Sequence, residues 1–219
     1  MKKMLLTLML VTVATAGFAQ RYSNSGFRTS YSSSETKVDI HAGISLTNIT
    51  KIEYDLRVGY TFGLGIEHPL YYDQWFIQTG IDFTSKGAKN VVNGVEYRYK
   101  PVYLDIPILA KLKVDMSREN KFTVSFGPYI SIGLGGKYSV EESGYVTSEK
   151  LFTAVGSNDS AYMNRFGIGL QYGIGLEMDE HYLVMLNGQY GFNNMIKQVY
   201  ADGKNDKNLE FTLSVGYRF

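Results

Sequence analysis

The sequence predicts an all-β protein, an eight-stranded, antiparallel, up-and-down transmembrane β-barrel. Three observations point there. Apolar residues alternate with small or polar ones in segment after segment, a period of two that no helix presents. The 18 Tyr, 12 Phe and 23 Gly among 219 residues favour strands and oppose helices. The connections between the alternating segments are short at one end of the expected barrel and long at the other, as in outer-membrane barrels.

Composition also excludes classes. A formal charge of +1 gives no basic stripe for nucleic acid. The absence of Cys removes disulfides, thiolate metal sites and a Cys nucleophile. An apolar content of 44% argues against disorder.

In chain order, Lys2 and Lys3 precede an apolar run from Met4 to Phe18 that closes with Gly17-Phe18-Ala19 before Gln20. This is the pattern of a signal peptide over residues 1–19, too short for a span of about 20 residues. No Cys follows it, which excludes a lipid anchor. Its loss takes two of the 22 basic residues and turns the charge from +1 to −1. Residues 20–37 hold six serines and no periodicity, and read as a flexible periplasmic leader. The barrel is expected over residues 38–219.

The first strand, 38–46, sets Val38, Ile40, Ala42, Ile44 and Leu46 against Asp39, His41, Gly43 and Ser45. In 56–67, Leu56, Val58, Tyr60, Phe62, Leu64 and Ile66 oppose Arg57, Gly59, Thr61, Gly63, Gly65 and Glu67. Segment 75–86 follows with Gln78, Gly80, Asp82, Thr84 and Lys86 on its polar side, and 103–113 with Asp105, Lys111 and Lys113. Segment 122–135 alternates cleanly apart from Tyr129, and 165–177 without exception. Segment 182–192 is the weakest, since Leu183 and Met185 put apolar groups on both faces. Segment 208–219 ends the series.

A soluble lipocalin-like barrel also alternates, with its apolar face inside. The glycine-rich polar face argues for the opposite orientation, because a narrow eight-stranded lumen has room only for a filling of side chains. The strands are long enough to cross a bilayer. Residues 68–74, 114–120 and 178–181 are the short periplasmic turns, while 47–53, 87–102, 137–163 and 193–207 form the long external loops. Aromatic girdles are expected from Tyr71, Tyr72, Trp75, Phe122, Tyr182, Tyr217 and Phe219 at one rim and Tyr54, Phe83, Tyr103, Phe166, Tyr190 and Phe192 at the other.

Inward charges then share one lumen. Arg57, Asp82, Asp105, Lys111, Arg165, Glu177 and Glu210 are the expected core of a structural charge network, with Asp39, His41, Lys86, Lys113 and Arg218 beside them. Mixed signs let buried charges pair. A proton relay or conducting path is the alternative.

Two motifs carry a resemblance. Tyr103-Leu104-Asp105-Ile106-Pro107-Ile108-Leu109-Ala110-Lys111 resembles the Y-L-[ED]-I-P-L-x-x-K strand of the PorT-like outer-membrane β-barrel family of Bacteroidota, barrels of the OmpA/OmpX-like eight-stranded kind. Phe126-Gly127-Pro128-Tyr129 and Gly133-Leu134-Gly135-Gly136-Lys137 are similar to that family's G-P-Y…G-L-G-G-K strand. The terminal Tyr217-Arg218-Phe219 matches the aromatic signal that barrel-assembly machinery recognises. The resemblance spans residues 38–219 and implies a bacterial outer-membrane location. One namesake of the family takes part in protein secretion. Pro107 and Pro128 each predict a bulge or a lost ladder bond near a rim.

No catalytic, cofactor or metal site is expected. The histidines read His41-Ala42-Gly43, His68-Pro69-Leu70 and His181-Tyr182-Leu183, without the His-x-Ser arrangement of lipid-A deacylases. His68 and His181 fall in expected periplasmic turns, away from the outer rim where an omptin-like protease needs its His. The expected role is structural or binding, through extracellular loops that engage a protein or glycan partner, or as an accessory to an envelope or secretion complex. A narrow porin-like channel for small solutes or ions is the alternative. The longest loop, with Glu141, Glu142, Glu149 and Asp159, has the mild acidity of any solvated loop and names no ligand.

Overall fold

The computed structural model describes residues 35–49, 56–70, 74–92, 95–142, 145–153, 161, 163–195 and 207–219. The expected signal peptide, all of the leader before residue 35, Tyr54, Tyr71, Tyr72, Asp159 and most of the 193–207 loop lie outside them. Among the described residues there are ten strands: β1 Lys37–Ile49, β2 Arg57–Pro69, β3 Trp75–Ser85, β4 Ala88–Val92, β5 Val95–Asp115, β6 Asn120–Glu142, β7 Tyr145–Lys150, β8 Phe166–Met178, β9 Tyr182–Asn194 and β10 Lys207–Arg218.

Eight of them close a ring in the order β1-β2-β3-β5-β6-β8-β9-β10. Every neighbouring pair is antiparallel, and β10 returns to β1 in the register Ile40↔Tyr217 through Ile49↔Asn208. Closure leaves no sheet edge within the ring, as hydrocarbon demands of a backbone that cannot hydrogen-bond to lipid.

Facing follows the alternation. Ile44 is 62% exposed, Leu64 54% and Leu213 56%, while Asp39, Asp105 and Arg218 are fully buried. The apolar parity therefore points outward and the ionic parity inward, which sets the soluble carrier aside. Glycine serves the crowded interior: a Cβ on Gly63 would meet Asp82 and His41, and one on Gly65 would meet Asp39. Leu183 and Met185 on β9 are buried inward apolar residues, which accounts for the blurred alternation of that segment.

At one end the connections are tight. Ser117 Oγ caps a four-residue turn by accepting from the amides of Glu119 and Asn120. Asp179 and Glu180 take left-handed φ values of 51° and 59°, the paired positive angles of a turn whose twist suits a hairpin.

At the other end the expectation of plain loops at 87–102 and 137–163 is corrected. β5 and β6, 21 and 23 residues long in all, run on past the ring, pairing from Lys100↔Lys137 to Glu96↔Glu141. β4 adds to the flank of β5 and β7 to that of β6, so a four-stranded sheet stands beyond the barrel. Beyond the ring the phase reverses: Val95, Tyr97 and Tyr99 carry the inward parity of Tyr103, with Tyr99 and Tyr138 packed against a buried apolar cluster, while Glu96, Arg98 and Lys100 face outward, so the apolar-outward pattern of the ring no longer marks strands.

A register shift between Val102 and Tyr103 leaves Leu134 as the extra residue of β6. This bulge re-phases β6 and aims Lys137 to the same side as Lys100. The prolines act in mid-strand rather than at a rim. Pairing of β3 with β5 skips Ile106 and Pro107, and pairing of β5 with β6 skips Gly127 and Pro128, while the register on either side is unchanged. Tyr103, assigned to the outer aromatic girdle, is instead buried at 2% exposure, because it shares the inward parity of Asp105.

Candidate functional site

The inward side chains fall into three ionic groups and a cap. At the tight-turn end, Glu67 of β2 receives Lys111 Nζ at 3.0 Å, Lys113 Nζ at 2.5 Å and Arg218 Nη2 at 3.1 Å. Glu177 of β8 completes the cluster, 2.7 Å from Lys113 and 2.5 Å from Arg218. Lys113 Nζ also lies 4.5 Å from the Phe76 ring centroid. Five strands of the ring are thus tied across the lumen at one level.

In the middle, His41 has an acceptor at each ring nitrogen, Asp39 Oδ1 at 3.0 Å and Asp82 Oδ1 at 2.8 Å. Beside this group a cavity of about 30 Å³, enough for a water or two, is lined by His41, Gln78, Asp82, Lys111, Gln171 and Asn187 among others.

Nearer the long-loop end, Lys86 Nζ is 2.7 Å from Asp105 Oδ2 and 3.7 Å from Glu210 Oε2. It donates to Ser131 Oγ at 3.2 Å and Gln189 Oε1 at 2.9 Å, and lies 5.0 Å from the Tyr129 ring centroid. Arg57 donates to the Lys86 carbonyl and, at 3.1 Å, to Ser85 Oγ. Above them Ala88, Tyr103, Leu151, Phe152, Met163 and Met195 form a buried apolar cluster that closes the mouth. The Tyr103 hydroxyl donates to Asn164 O at 2.9 Å, and its ring meets Phe152 edge-on at 5.6 Å.

Of the expected network, Asp82, Asp105, Lys111, Glu177 and Glu210 stand inside these groups, and Arg57 braces the Lys86 backbone. Arg165 stands apart. It is an exposed residue at the mouth, donating to Phe152 O at 3.1 Å with its guanidinium over that ring. The residue missing from the expected set is Glu67, although the strict alternation of β2 already aims it inward.

Tyr217 and Phe219 are exposed at the tight-turn rim, with ring centroids 5.2 Å apart. Tyr217 also stacks on His181 at 5.4 Å. The Phe219 amide donates to Val38 O at 2.9 Å. Glu180 in the adjacent turn pairs with Lys37 at 3.2 Å, and this hydrogen bond holds its carboxyl below the usual range.

On the outer sheet, Tyr97 and Tyr99 flank Tyr138 with centroid distances of 6.4 and 4.8 Å, and Tyr145 is 84% exposed. The opposite face carries the ladder Lys89–Glu96–Arg98–Glu141, with Lys89–Glu96 at 2.8 Å and Arg98–Glu141 at 3.3 Å. Hydrogen bonds from Arg98 and then Lys89 pull the Glu96 carboxyl down to about 2.

Among the described residues no group of three or more His, Asp or Glu side chains could hold a metal ion. His68 lies at the end of β2 and His181 in the turn before β9, both at the tight-turn end.

Residues 18–197 match the family described as "Outer membrane protein beta-barrel domain". No curated protein matches the chain. Among solved structures it is similar to Ail, the attachment invasion locus protein of Yersinia pestis, in complex with the heparin analogue sucrose octasulfate, at 15% identity. That likeness covers 84% of this chain and 97% of Ail, with a TM-score of 0.42. The outer membrane protein OprG of Pseudomonas aeruginosa is similar at 10% identity, over 85% and 97% of the two chains, with a TM-score of 0.44. The outer membrane enzyme PagL is similar at 12% identity, over 81% and 97%, with a TM-score of 0.47.

Proposed function

This chain belongs to the outer membrane protein β-barrel domain family and resides in the outer membrane, and we propose that it is a non-catalytic binding module displayed at the cell surface. The observation that carries this reading is the division of labour along the barrel axis. The lumen is filled by ion pairs and capped by an apolar cluster against which Tyr99 and Tyr138 pack, whereas the four-stranded sheet beyond it holds Tyr145 at 84% exposure. Tyrosine suits recognition because one rigid ring brings both apolar area and a hydroxyl. Its partner is a protein or a surface glycan, and its wider role is structural or accessory to an envelope or secretion complex.

Finer parts of the reading rest on sequence. The motifs at 103–111 and 126–137 support a PorT-like barrel of Bacteroidota. The first 19 residues support a cleaved signal peptide, and Tyr217 and Phe219 a signal for barrel-assembly machinery. The inward ion pairs are assigned a structural role, as fillers of a lumen too narrow to stay open.

A photo-crosslinking residue placed at Tyr145 in cells should yield an adduct of discrete mass, while one at Lys121, beside the opposite end, should not. Absence of any adduct at Tyr145 and at a second outer position, Thr147, would refute the binding reading. The competing reading is a narrow channel, which the cavity beside His41 favours. It predicts a steady ion current through purified protein in planar bilayers.

A further inference from the structure

We propose that Lys100, Lys137 and Lys150 form a docking row for a phosphate-bearing lipid headgroup of the outer leaflet. The three residues sit on adjacent strands and directly opposite one another, Lys100↔Lys137 across β5 and β6 and Lys137↔Lys150 across β6 and β7. All three are exposed, and among the described residues none of their ammonium groups has an ion-pair or hydrogen-bond partner. One layer further out on the same face the charges are matched by Glu96 and Glu141. Like charges directly opposite destabilise a sheet, so an unneutralised row of three is an arrangement that a bound anion relieves.

Position identifies the anion's source. Lys100 continues the outward parity of Leu104 and Val102, and the bulge at Leu134 gives Lys137 the same facing, above Ile132 and Leu134, which are 41% and 49% exposed on the lipid side. Two residues at about 3.3 Å each put Lys100 roughly 7 Å beyond Val102 along the strand. That is about the depth of the headgroup layer on one side of a bilayer. The row thus meets lipid phosphates at their own level while Val102, Leu104 and Leu134 lie alongside the acyl chains. Long lysine stems suit this boundary, apolar along the shaft and charged at the tip. A soluble polyanion would have no use for the apolar surface below.

The test uses the full mature chain in micelles, titrated with diphosphorylated lipid A and with the same lipid after removal of its phosphates. The wild type should bind the phosphorylated form far more tightly. Each Lys→Gln change should weaken binding about fivefold, and the triple variant K100Q/K137Q/K150Q on the order of a hundredfold. The triple Lys→Arg variant should retain binding. A heat-dependent mobility shift on gels reports that each variant is folded, and the single K100Q and K137Q variants serve if the triple does not fold. Equal affinity of folded wild type and Gln variants would overturn the proposal. So would binding of a sulfated oligosaccharide or inorganic phosphate, free of acyl chains, as tight as that of the lipid, since the row would then be a site for soluble anions.

Discussion

Three cations, Lys111, Lys113 and Arg218, meet at the Glu67 carboxylate, and Glu177 shares two of them. Removing one partner of a buried pair leaves the rest uncompensated at a cost of about 3–5 kcal/mol. Glu67→Ala should therefore lower the thermal unfolding temperature in detergent by more than Lys111→Met, which leaves Glu67 with two cations. A drop for Lys111→Met as large as that for Glu67→Ala would show that the carboxylate is not the hub. The inward aim of Glu67 is legible in the sequence, since it shares the parity of Gly63 and Gly65. Its convergence with Lys111, Lys113 and Arg218 is not. That depends on barrel curvature bringing β2, β5 and β10 within reach of one carboxylate. Arg165 shows the converse. Its parity points inward, but it stands at residue 165, just before β8 begins, where alternation no longer dictates direction.

At the scale of elements, the ring was readable because lipid and lumen are such different solvents. Each crossing strand carries that difference as a period of two, and the expected segments fall on the eight strands of the ring. Past the membrane boundary the alternation persists in β5, where Val95, Tyr97 and Tyr99 oppose Glu96, Arg98 and Lys100, but the apolar parity is now the inward one, so the apolar-outward phase that marks the ring does not extend to these strands. The prolines illustrate a second limit of pattern reading. Each removes a ladder donor, but a closed ring holds the register on both sides, so the loss stays local instead of forcing a bulge. The lipid-facing parity also makes a quantitative claim. Leu64 lies near the middle of β2 at 54% exposure, where Arg costs about 2–4 kcal/mol at the bilayer midplane. Leu64→Arg should sharply reduce folding into lipid vesicles, whereas Leu64→Phe should fold like the wild type. Equal folding yields for the two would mean that this face does not meet hydrocarbon.

For the whole molecule, the obstacles to flow are stacked in series along the barrel axis. From the outer mouth inward they are the apolar cap, the Lys86–Asp105–Glu210 group, the Asp39–His41–Asp82 group and the Glu67 hub. A series arrangement makes the barrel tolerant of losing any one layer. The cap is built mostly from residues outside the ring, because Leu151 and Phe152 follow β7 and Met163 precedes β8, whereas the layers beneath it draw on ring strands apart from Lys86. It is thus the layer that movement of the outer loops could lift without unpairing a strand. Wild-type protein in planar bilayers should give a flat current trace, and so should the double variant Leu151→Ser/Phe152→Ser, since three ionic layers stay closed beneath it. A steady current that appears only in the double variant would identify the cap as a gate and the lower layers as permeable. That result would replace the binding module with the channel. With both traces flat, the channel reading falls, and the binding reading keeps the four-stranded sheet as its surface among the described residues.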